Sequence, residues 1–411
     1  MSAAHRAVFR RVLRAGVRSG EITIADARGE TVFGGQPAGI EPLRVRVEIH
    51  DPRAWRRLAG LSIGLAESYA EGLWDCDDLV ALVRIAARDL PRFDTLRGRV
   101  LPAVRPLQLA SRRCRRNTIR GSRQNIAAHY DLGNDLFATF LDESLTYSCA
   151  IFEEPGMTLA EAQVAKLDRI CRKLNLRPDE HLLEIGTGWG ALAIHAAREF
   201  GCRVTTATIS REQHALATAR VREAGLEDRV QVLLRDYREL SGRYDKLVSI
   251  EMIEAVGWHY FPVYFRRLRE LVAEDGLALL QAITIDDRVY EVEKASRSFM
   301  NTLMFPGGCL PSIGVVQRCA TRAGLRTVQL EDITPHYVTT LRTWRERFTA
   351  AAQELDARNY YRAFRRMWDF YLAYCQAGFA ERRIQDVQVL LAAPAHRDEP
   401  LFAVAQAAAT A

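Results

Sequence analysis

A glycine-rich turn in the middle of the chain has the residue types and spacing of a nucleotide-binding loop. Residues 184–190 spell EIGTGWG; an apolar run at 181–185 predicts a buried strand before the turn, and residues 191–200 predict a helix after it. Glycine permits positive φ and lets backbone amides approach a ligand, while a helix N-terminus adds a partial positive charge. We therefore expect this turn to hold a nucleoside that carries a carboxylate.

Two classes of nucleotide-binding enzyme place such a turn between a strand and a helix. The dinucleotide pattern is G-x-G-x-x-G, followed about 20 residues later by an acid for the ribose. Here Gly190 comes one position early, and the second predicted strand ends in TTATIS, residues 205–210, without a carboxylate. These departures disfavour NAD. The E-x-G-x-G-x-G form instead resembles motif I of S-adenosylmethionine-dependent methyltransferases, and Asp236 and Tyr237 follow the third strand, where that family contacts adenine.

The elements that must position this turn alternate along the second half of the chain. Strands are predicted at 181–185, 203–209, 230–234, 246–250 and 277–283, with helices at 191–200 and 211–224. Because parallel strands need crossover connections, this order predicts a mostly parallel, doubly wound sheet. The fold class is therefore α/β, and the resemblance implies the Rossmann-like fold of class I S-adenosylmethionine-dependent methyltransferases. Beyond residue 340 the pattern is helical and rich in aromatic residues.

Composition indicates a soluble globular protein. The 411 residues are 48% hydrophobic and 26% charged, with a net charge of +6. No apolar run approaches the about 20 residues of a membrane-spanning helix, and arginines interrupt the N-terminal segment where a secretory signal would be apolar. The eight cysteines form no CxxC pair and no Cys/His cluster with zinc spacing. We expect a cytosolic protein with reduced cysteines and no metal site.

The first quarter of the chain predicts a separate unit. Residues 1–100 are expected to form a small N-terminal accessory α+β domain. Its alternating segments and helical stretches lie at 21–24, 43–49, 53–70 and 78–89. Residues 105–124 contain seven arginines and no acid. They predict a basic linker over 101–123 before a methyltransferase domain over 124–411, and they are either a solvated connector or a contact with lipid phosphates.

Six further segments identify the family more narrowly. They are residues 69–79, 129–137, 145–150, 254–257, 305–312 and 337–341. The last five resemble the cyclopropane fatty acid synthase family, and 69–79 resembles the accessory domain of members that act on bacterial phospholipids. The resemblance implies transfer of a one-carbon unit from S-adenosylmethionine to the cis double bond of unsaturated acyl chains in phospholipids, forming a cyclopropane. It also implies an acyl-chain tunnel and a cytoplasmic enzyme attached peripherally to the inner face of the cell membrane.

The resemblance assigns two sets of site residues. The cofactor-binding residues are Tyr147, Ser148, Gly186, Thr187, Gly188, Gly190, Thr208, Gln213, Asp236 and Tyr237. In the family a bound bicarbonate ion accepts the proton that the alkylated chain loses, and the matching catalytic positions here are Cys149, Glu254, Gln281, Ile283 and Tyr337. Glu254 would accept a hydrogen bond from bicarbonate, Tyr337 would donate one through its phenol, and Ile283 would contribute its backbone.

Three positions depart from the pattern of the well-known cyclopropane synthases. Gln281 and Ala255 stand where those enzymes have histidine, and Glu251 adds an acid three residues before Glu254, a spacing that predicts one helical face. Glutamine can donate a hydrogen bond but cannot carry a proton away. The carbocation formed by methyl transfer can alternatively undergo a hydride shift before it loses a proton. The alternative product is then a methylene branch, which a separate reductase would convert to a methyl branch.

Two hypotheses of other classes remain open at the level of sequence. The chain could be a methyltransferase for a soluble small molecule, or a catalytically silent lipid-binding relative. For partners we expect a phospholipid bilayer with unsaturated acyl chains and no nucleic acid, and a homodimer formed through the aromatic C-terminal helices is a further candidate.

Overall fold

The computed structural model describes residues 2–36, 39, 41–58, 61–91 and 133–397. The predicted linker at 101–123, the basic segment at 105–124 and residues 129–132 of the family motif lie outside the described residues. Within the described part of the chain, no helix is both long enough and apolar enough to cross a membrane.

The N-terminal elements form a four-stranded sheet covered by helices. In chain order they are α1 (Ser2–Gly16), β1 (Glu21–Asp26), β2 (Gly29–Gly34), β3 (Arg44–Ile49), α2 (Ala54–Leu58), α3 (Leu61–Ala70), β4 (Trp74–Cys76) and α4 (79–91). The strand order is β2-β1-β3-β4, in which β1 and β3 are parallel and the other pairs are antiparallel. Strand β3 buries Val45, Val47 and Ile49 on one face, as its alternating sequence predicts.

The second half of the chain forms a seven-stranded sheet with helices on its faces. Its strands are β5 (His181–Ile185), β6 (Arg203–Thr208), β7 (Val230–Leu234), β8 (Tyr244–Ile250), β9 (Val272–Ile285), β10 (Arg326–Asp332) and β11 (Ile384–Ala392). The order is β10-β11-β9-β8-β5-β6-β7, with the five strands from β5 to β9 parallel and β10 and β11 antiparallel to their neighbours. This topology confirms the predicted Rossmann-like α/β class.

The helices around this sheet carry several of the site residues. They are α5 (Asn134–Ala138), α6 (Leu159–Lys173), α7 (Ala191–Glu199), α8 (Arg211–Glu223), α9 (Ile253–Val256), α10 (Phe261–Leu271), α11 (Tyr290–Ala295), α12 (Ile313–Arg322), α13 (Thr334–Ala350), α14 (Ala352–Ala357) and α15 (Arg362–Ala380). Helix α6 begins after Thr158 because a capping box forms there: the Thr158 hydroxyl accepts from the Glu161 backbone, and the Glu161 carboxylate accepts from the Thr158 backbone at 2.7 Å.

The C-terminal region differs from the prediction. Its sequence predicts helices, yet β11 lies inside the sheet between β9 and β10 and is buried on both faces over most of its length. A short apolar run that is buried on both sides has no alternation, so periodicity cannot separate it from a buried helix. The aromatic residues of this region, among them Trp344, Phe348 and Trp368, are buried in the core of the chain itself.

The N-terminal elements and the elements around the seven-stranded sheet share one core across helix α15. The Arg366 guanidinium donates to the backbone oxygens of Tyr69 at 2.6 Å and Trp74 at 2.9 Å, and it pairs with Asp75 at 2.6 Å. The same group lies 3.9 Å from the centre of the Tyr69 ring. Further along α15, the hydroxyl of Tyr371 lies 2.7 Å from that of Tyr147, a residue predicted to bind the cofactor. The accessory elements therefore contact the helix that supports the site.

Candidate active site

A cavity opens at the carboxyl ends of strands β5 to β8. It contains about 1150 Å³ of space, part of which is open to solvent. Ligands in open α/β sheets bind at this edge, because the loops that follow parallel strands meet there. The turn after β5, the end of β6, the segment after β7 and the residues after β8 all line the cavity.

The glycine turn has the backbone conformation that its composition predicts. Gly186, Gly188 and Gly190 have φ values of 104°, 52° and 88°, which are positive and favour glycine. Gly188 faces open space, since a Cβ there would meet no atom within 4 Å. Gly190 does not line the cavity: it precedes helix α7, and its Cβ would lie 3.3 Å from the Cβ of Ala217. Its place in the motif thus reflects close packing of the turn on helix α8.

Nine of the ten residues predicted to bind the cofactor line the cavity together. They are Tyr147, Ser148, Gly186, Thr187, Gly188, Thr208, Gln213, Asp236 and Tyr237. The Thr208 hydroxyl donates to the side chain of Gln213 at 2.8 Å, which orients the amide at the end of β6. Asp236 is buried and accepts from Arg238 at 2.7 Å. The open space at Gly188, an oriented amide and a fixed carboxylate fit a nucleoside with a charged tail, as S-adenosylmethionine has.

Two buried ionisable residues in the cavity were not predicted as site residues. Glu184, the first residue of the glycine motif, accepts from the Thr206 hydroxyl at 2.6 Å, and burial raises its pKa to about 8. Lys166 on helix α6 donates to the Ser148 hydroxyl at 2.6 Å, and burial lowers its pKa to about 8. Glu184 could have been found from the motif, whereas Lys166 has no sequence signal beyond its place in an amphipathic helix.

The residues expected to hold an anion converge on the carboxylate of Glu251. Oε1 accepts from the Cys149 backbone amide at 2.8 Å and from the Gln281 side chain at 2.8 Å. Oε2 accepts from the Tyr337 hydroxyl at 2.6 Å. Burial is the main cause that raises the pKa of this phenol well above its usual value, so it stays protonated and keeps donating. Three predicted catalytic residues are thus brought together around an acid that was noticed only for its spacing.

Glu251 reaches this position through an unusual backbone conformation. It follows strand β8 with φ of 46°, in the left-handed region that non-glycine residues rarely adopt, and its backbone amide donates to the backbone oxygen of Gln281 at 2.8 Å. Helix α9 starts only at Ile253. The prediction that Glu251 and Glu254 share one helical face is therefore wrong, because the chain turns sharply between the end of the strand and the helix.

Glu254 and Ile283 are hydrogen-bonded directly to each other. The Ile283 backbone amide donates to Oε1 of Glu254 at 2.5 Å. Oε2 is buried without a hydrogen-bond partner in the described part of the chain. Burial, with a smaller effect of the Glu251 charge, raises the Glu254 pKa to about 8. At neutral pH this side chain is therefore mainly a neutral carboxylic acid.

A third carboxyl group, Asp386 of strand β11, lies beside the pair. It is fully buried and accepts from the Gln281 side chain at 3.1 Å, while Gln388 donates to the Gln281 oxygen at 3.0 Å. Burial and the charge of Glu251 raise its pKa well above the usual value. Bicarbonate does not fit this arrangement, because Glu251 already occupies its expected donors and a second anion would be repelled by the neighbouring carboxylate.

The comparisons with known proteins agree with this geometry. Residues 117–389 match the model of a family described as mycolic acid cyclopropane synthetase. The chain belongs to the mycolic acid cyclopropane synthetase family. Tuberculostearic acid methyltransferase UfaA1 of Mycobacterium tuberculosis is 41% identical over 82% of this chain and 81% of its own length. Cyclopropane-fatty-acyl-phospholipid synthase of Escherichia coli is 37% identical over 86% of this chain and 88% of its own length.

A solved structure of the family shows the same fold. The crystal structure of mycolic acid cyclopropane synthase CmaA1 complexed with SAH and CTAB is 32% identical to this chain, with a TM-score of 0.61, and covers 66% of this chain and 98% of its own. This member of the cyclopropane synthetase family is accordingly an S-adenosylmethionine-dependent enzyme of the cyclopropane-fatty-acyl-phospholipid synthase type.

Proposed function

We propose that the enzyme transfers a one-carbon unit to the cis double bond of unsaturated acyl chains in phospholipids, and that Glu251 accepts the proton released. The observation that carries this proposal is the Glu251 carboxylate, which lines the cavity and accepts hydrogen bonds from three donors. Two relatives named for acyl lipids, at 41% and 37% identity, support the substrate class. An enzyme acting on a soluble small molecule is not favoured by either.

Each part of the cavity has a distinct task in this reaction. S-adenosylmethionine, when bound, supplies a methyl group made electrophilic by its positively charged sulfur. The turn at Gly188, together with Gln213 and Asp236, would hold the nucleoside and its amino-acid tail. Ser148, whose hydroxyl accepts from Lys166, lies one residue before Cys149, whose amide binds Glu251. This short connection would keep S-adenosylmethionine, the methyl donor, at a fixed distance from Glu251, the base.

Glu251 acts after the alkene has gained the methyl group. One alkene carbon then carries a positive charge, and a C–H bond of the new methyl group breaks. The proton passes to the Glu251 carboxylate, and the electron pair left behind either closes a three-membered ring or forms a methylene double bond. A positioned general base of this kind contributes about 10²- to 10⁴-fold to the rate.

The order of two events decides the product. Proton loss before a hydride shift closes a cyclopropane, whereas proton loss after the shift leaves a methylene branch. Glu251 is anchored by three donors and cannot follow the methyl group, while a hydride shift needs no base. We therefore propose methylenation as the reaction, which the relative named a tuberculostearic acid methyltransferase also supports. Cyclopropanation is the second candidate, supported by the relative named a cyclopropane-fatty-acyl-phospholipid synthase.

Several further roles follow from this proposal. A methylene lipid would require a separate reductase as a partner to become methyl-branched. The substrate would be drawn from the bilayer by an enzyme bound peripherally at the cytoplasmic face of the membrane. We retain the division into an accessory domain at 1–100, a linker at 101–123 and a methyltransferase domain with an acyl-chain tunnel at 124–411.

Labelled substrates test the reaction directly. The purified enzyme is incubated with S-adenosylmethionine carrying a ¹³C-labelled methyl group and with vesicles of dioleoyl phosphatidylglycerol. Label should enter the acyl fraction, and NMR of the extracted lipid separates the products, because cyclopropane protons resonate upfield and vinylidene protons downfield. Absence of label from the acyl chains would reject the substrate class, while upfield signals alone would replace methylenation by cyclopropanation.

Substitutions of Glu251 test its role as the base. Glu251→Gln keeps the shape but removes the basic oxygen, so turnover should fall at least about 100-fold with binding of S-adenosylmethionine unchanged by calorimetry. Glu251→Gly suits the positive φ and vacates the carboxylate position while the donors from Cys149, Gln281 and Tyr337 remain. Added bicarbonate or formate should restore turnover to Glu251→Gly but not to Glu251→Gln. Full activity of Glu251→Gln would contradict the assignment.

A further inference from the structure

Helix α1 is strongly basic and lies far along the chain from the catalytic residues. The first 20 residues contain five arginines and no acidic residue. The helix packs on the four-stranded sheet and on helix α2, where Phe9 contacts Trp55 with ring centres 5.9 Å apart. One face of α1 is therefore fixed to the fold, and the other faces solvent.

Two of the arginines belong to the packed side. Arg6 pairs with Asp26 at 2.6 Å and lies over the ring of Trp55. Arg10 donates to the Thr31 hydroxyl and lies over the ring of Phe33. These two side chains are explained by the fold, because each has a partner on the sheet or on α2.

The solvent-facing side of α1 carries exposed valines and exposed arginines. Val8 and Val12 are 64% and 52% exposed, one helical turn apart. Arg11 and Arg14, one turn apart, are also exposed, and neither forms a salt bridge or side-chain hydrogen bond with any described residue. We call these four residues the α1 outer face. By contrast, Arg46 of strand β3 in the same unit pairs with Glu30 and Glu48.

We propose that the α1 outer face docks on the headgroup layer of an anionic phospholipid bilayer. Arginines beside exposed aliphatic residues are the composition of helices that lie in a membrane interface, with the charges at the phosphates and the apolar side chains between headgroups. Each basic residue at an anionic surface strengthens binding by about fivefold. Nucleic acid would engage the arginines but leave both valines in water, so it fits the face less well.

This inference goes beyond the proposed function, which requires contact with a bilayer but assigns no surface to it. The face is rigid, since α1 is anchored through Phe9 and Arg6, so docking would set the orientation of the whole enzyme on the membrane. The basic segment at 105–124, for which sequence analysis left a lipid contact open, lies outside the described residues. A variant restricted to α1 separates the two segments.

Vesicle sedimentation with the full chain tests the docking surface. The vesicles are dimyristoyl phosphatidylglycerol mixed with dimyristoyl phosphatidylcholine, which have no double bond, so binding is measured independently of turnover. Arg11→Glu/Arg14→Glu should weaken binding by at least about 25-fold at 0.1 M salt. The control Arg198→Glu/Arg266→Glu makes the same charge change at exposed positions of helices α7 and α10 and should bind like the parent. Unchanged binding of the α1 variant would overturn the proposal.

Two further measurements distinguish membrane docking from binding to polyanions in general. Val8→Ser/Val12→Ser leaves the charge unchanged and should weaken vesicle binding while leaving any binding to duplex DNA as it was. Val8→Ser/Val12→Ser could instead bind vesicles like the parent while Arg11→Glu/Arg14→Glu loses binding to both vesicles and DNA. In that case the face is a general polyanion-binding surface and the proposal fails. All variants should retain turnover of dioleoyl phosphatidylglycerol in neutral detergent micelles. The micelle assay therefore tests the proposed function, and vesicle sedimentation tests the docking surface.

Discussion

The hydroxyl of Tyr337 offers the sharpest quantitative test of the base assignment. Tyr337→Phe removes one hydrogen bond to Oε2 of Glu251, formed at 2.6 Å, and changes no other atom of the ring. A hydrogen bond to a charged group contributes about 1.5–3 kcal/mol. If that bond holds the carboxylate where the methyl proton arrives, its loss corresponds to a fall in kcat of about 10- to 150-fold. The KM for S-adenosylmethionine should change little, because Tyr337 does not line the nucleoside part of the cavity.

Tyr69→Phe provides a matched control for this measurement. Tyr69 donates to the Asp369 carboxylate at 3.1 Å, so the same kind of bond is lost from an equally buried tyrosine at the contact between the accessory elements and α15. Both variants should lose thermal stability to a similar extent, but only Tyr337→Phe should slow turnover of labelled phospholipid. Because the Tyr337 phenol stays protonated, the ratio of the two kcat values should be constant from pH 6 to 9. Equal kcat losses, or a Tyr337→Phe loss below about twofold, would refute the role given to Glu251.

The remaining predictions concern stability. Glu254, with its pKa raised from 4.5 to about 8, stays protonated in the fold while it ionises in the unfolded chain, so its contribution to stability falls between about pH 4.5 and 8. Glu254→Gln should therefore reduce the drop in melting temperature between pH 5 and pH 8.5, and an unchanged drop would contradict the burial of this acid. Arg366→Ala should lower the free energy of unfolding by about 2–3 kcal/mol in denaturant titrations, since it removes bonds to Tyr69, Trp74 and Asp75; an effect below about 1 kcal/mol would mean that the accessory elements are only loosely attached.

Much of the fold follows from local signals in the sequence. Strand β5, the glycine turn and helix α7 are specified by an apolar run, three positions that need positive φ and a helical pattern, so their bounds were predicted to within a residue. Strands β10 and β11 were not predicted. Their place depends on pairing with distant strands, β11 with β9 across about 100 residues of sequence, and such pairing leaves no local pattern.

Only part of the candidate site was predicted from the sequence, because motifs are local and contacts between distant elements are not. Motifs fixed which residues gather at the strand ends, and nine of ten predicted cofactor residues line one cavity. The hydrogen-bond partner of each site residue could not be predicted from the spacing of residues in the sequence. Whether Tyr337 faces a free anion or the Glu251 carboxylate depends on the sharp turn after β8, and Lys166 and Asp386 come from a helix and a strand that carry no motif.

The position of Glu251 links backbone strain to the chemistry of the site. A left-handed conformation at a non-glycine residue costs about 1–2 kcal/mol, and the neighbouring carboxyl groups of Glu251, Glu254 and the fully buried Asp386 add repulsion. Three hydrogen bonds to Glu251 and the buried charge of Lys166 offset these costs. In the proposed reaction, this strained conformation provides a base that is tethered to the enzyme. A diffusible anion must first bind, whereas a carboxylate held at the end of β8 is present in every catalytic cycle, so turnover of this enzyme should not depend on dissolved bicarbonate.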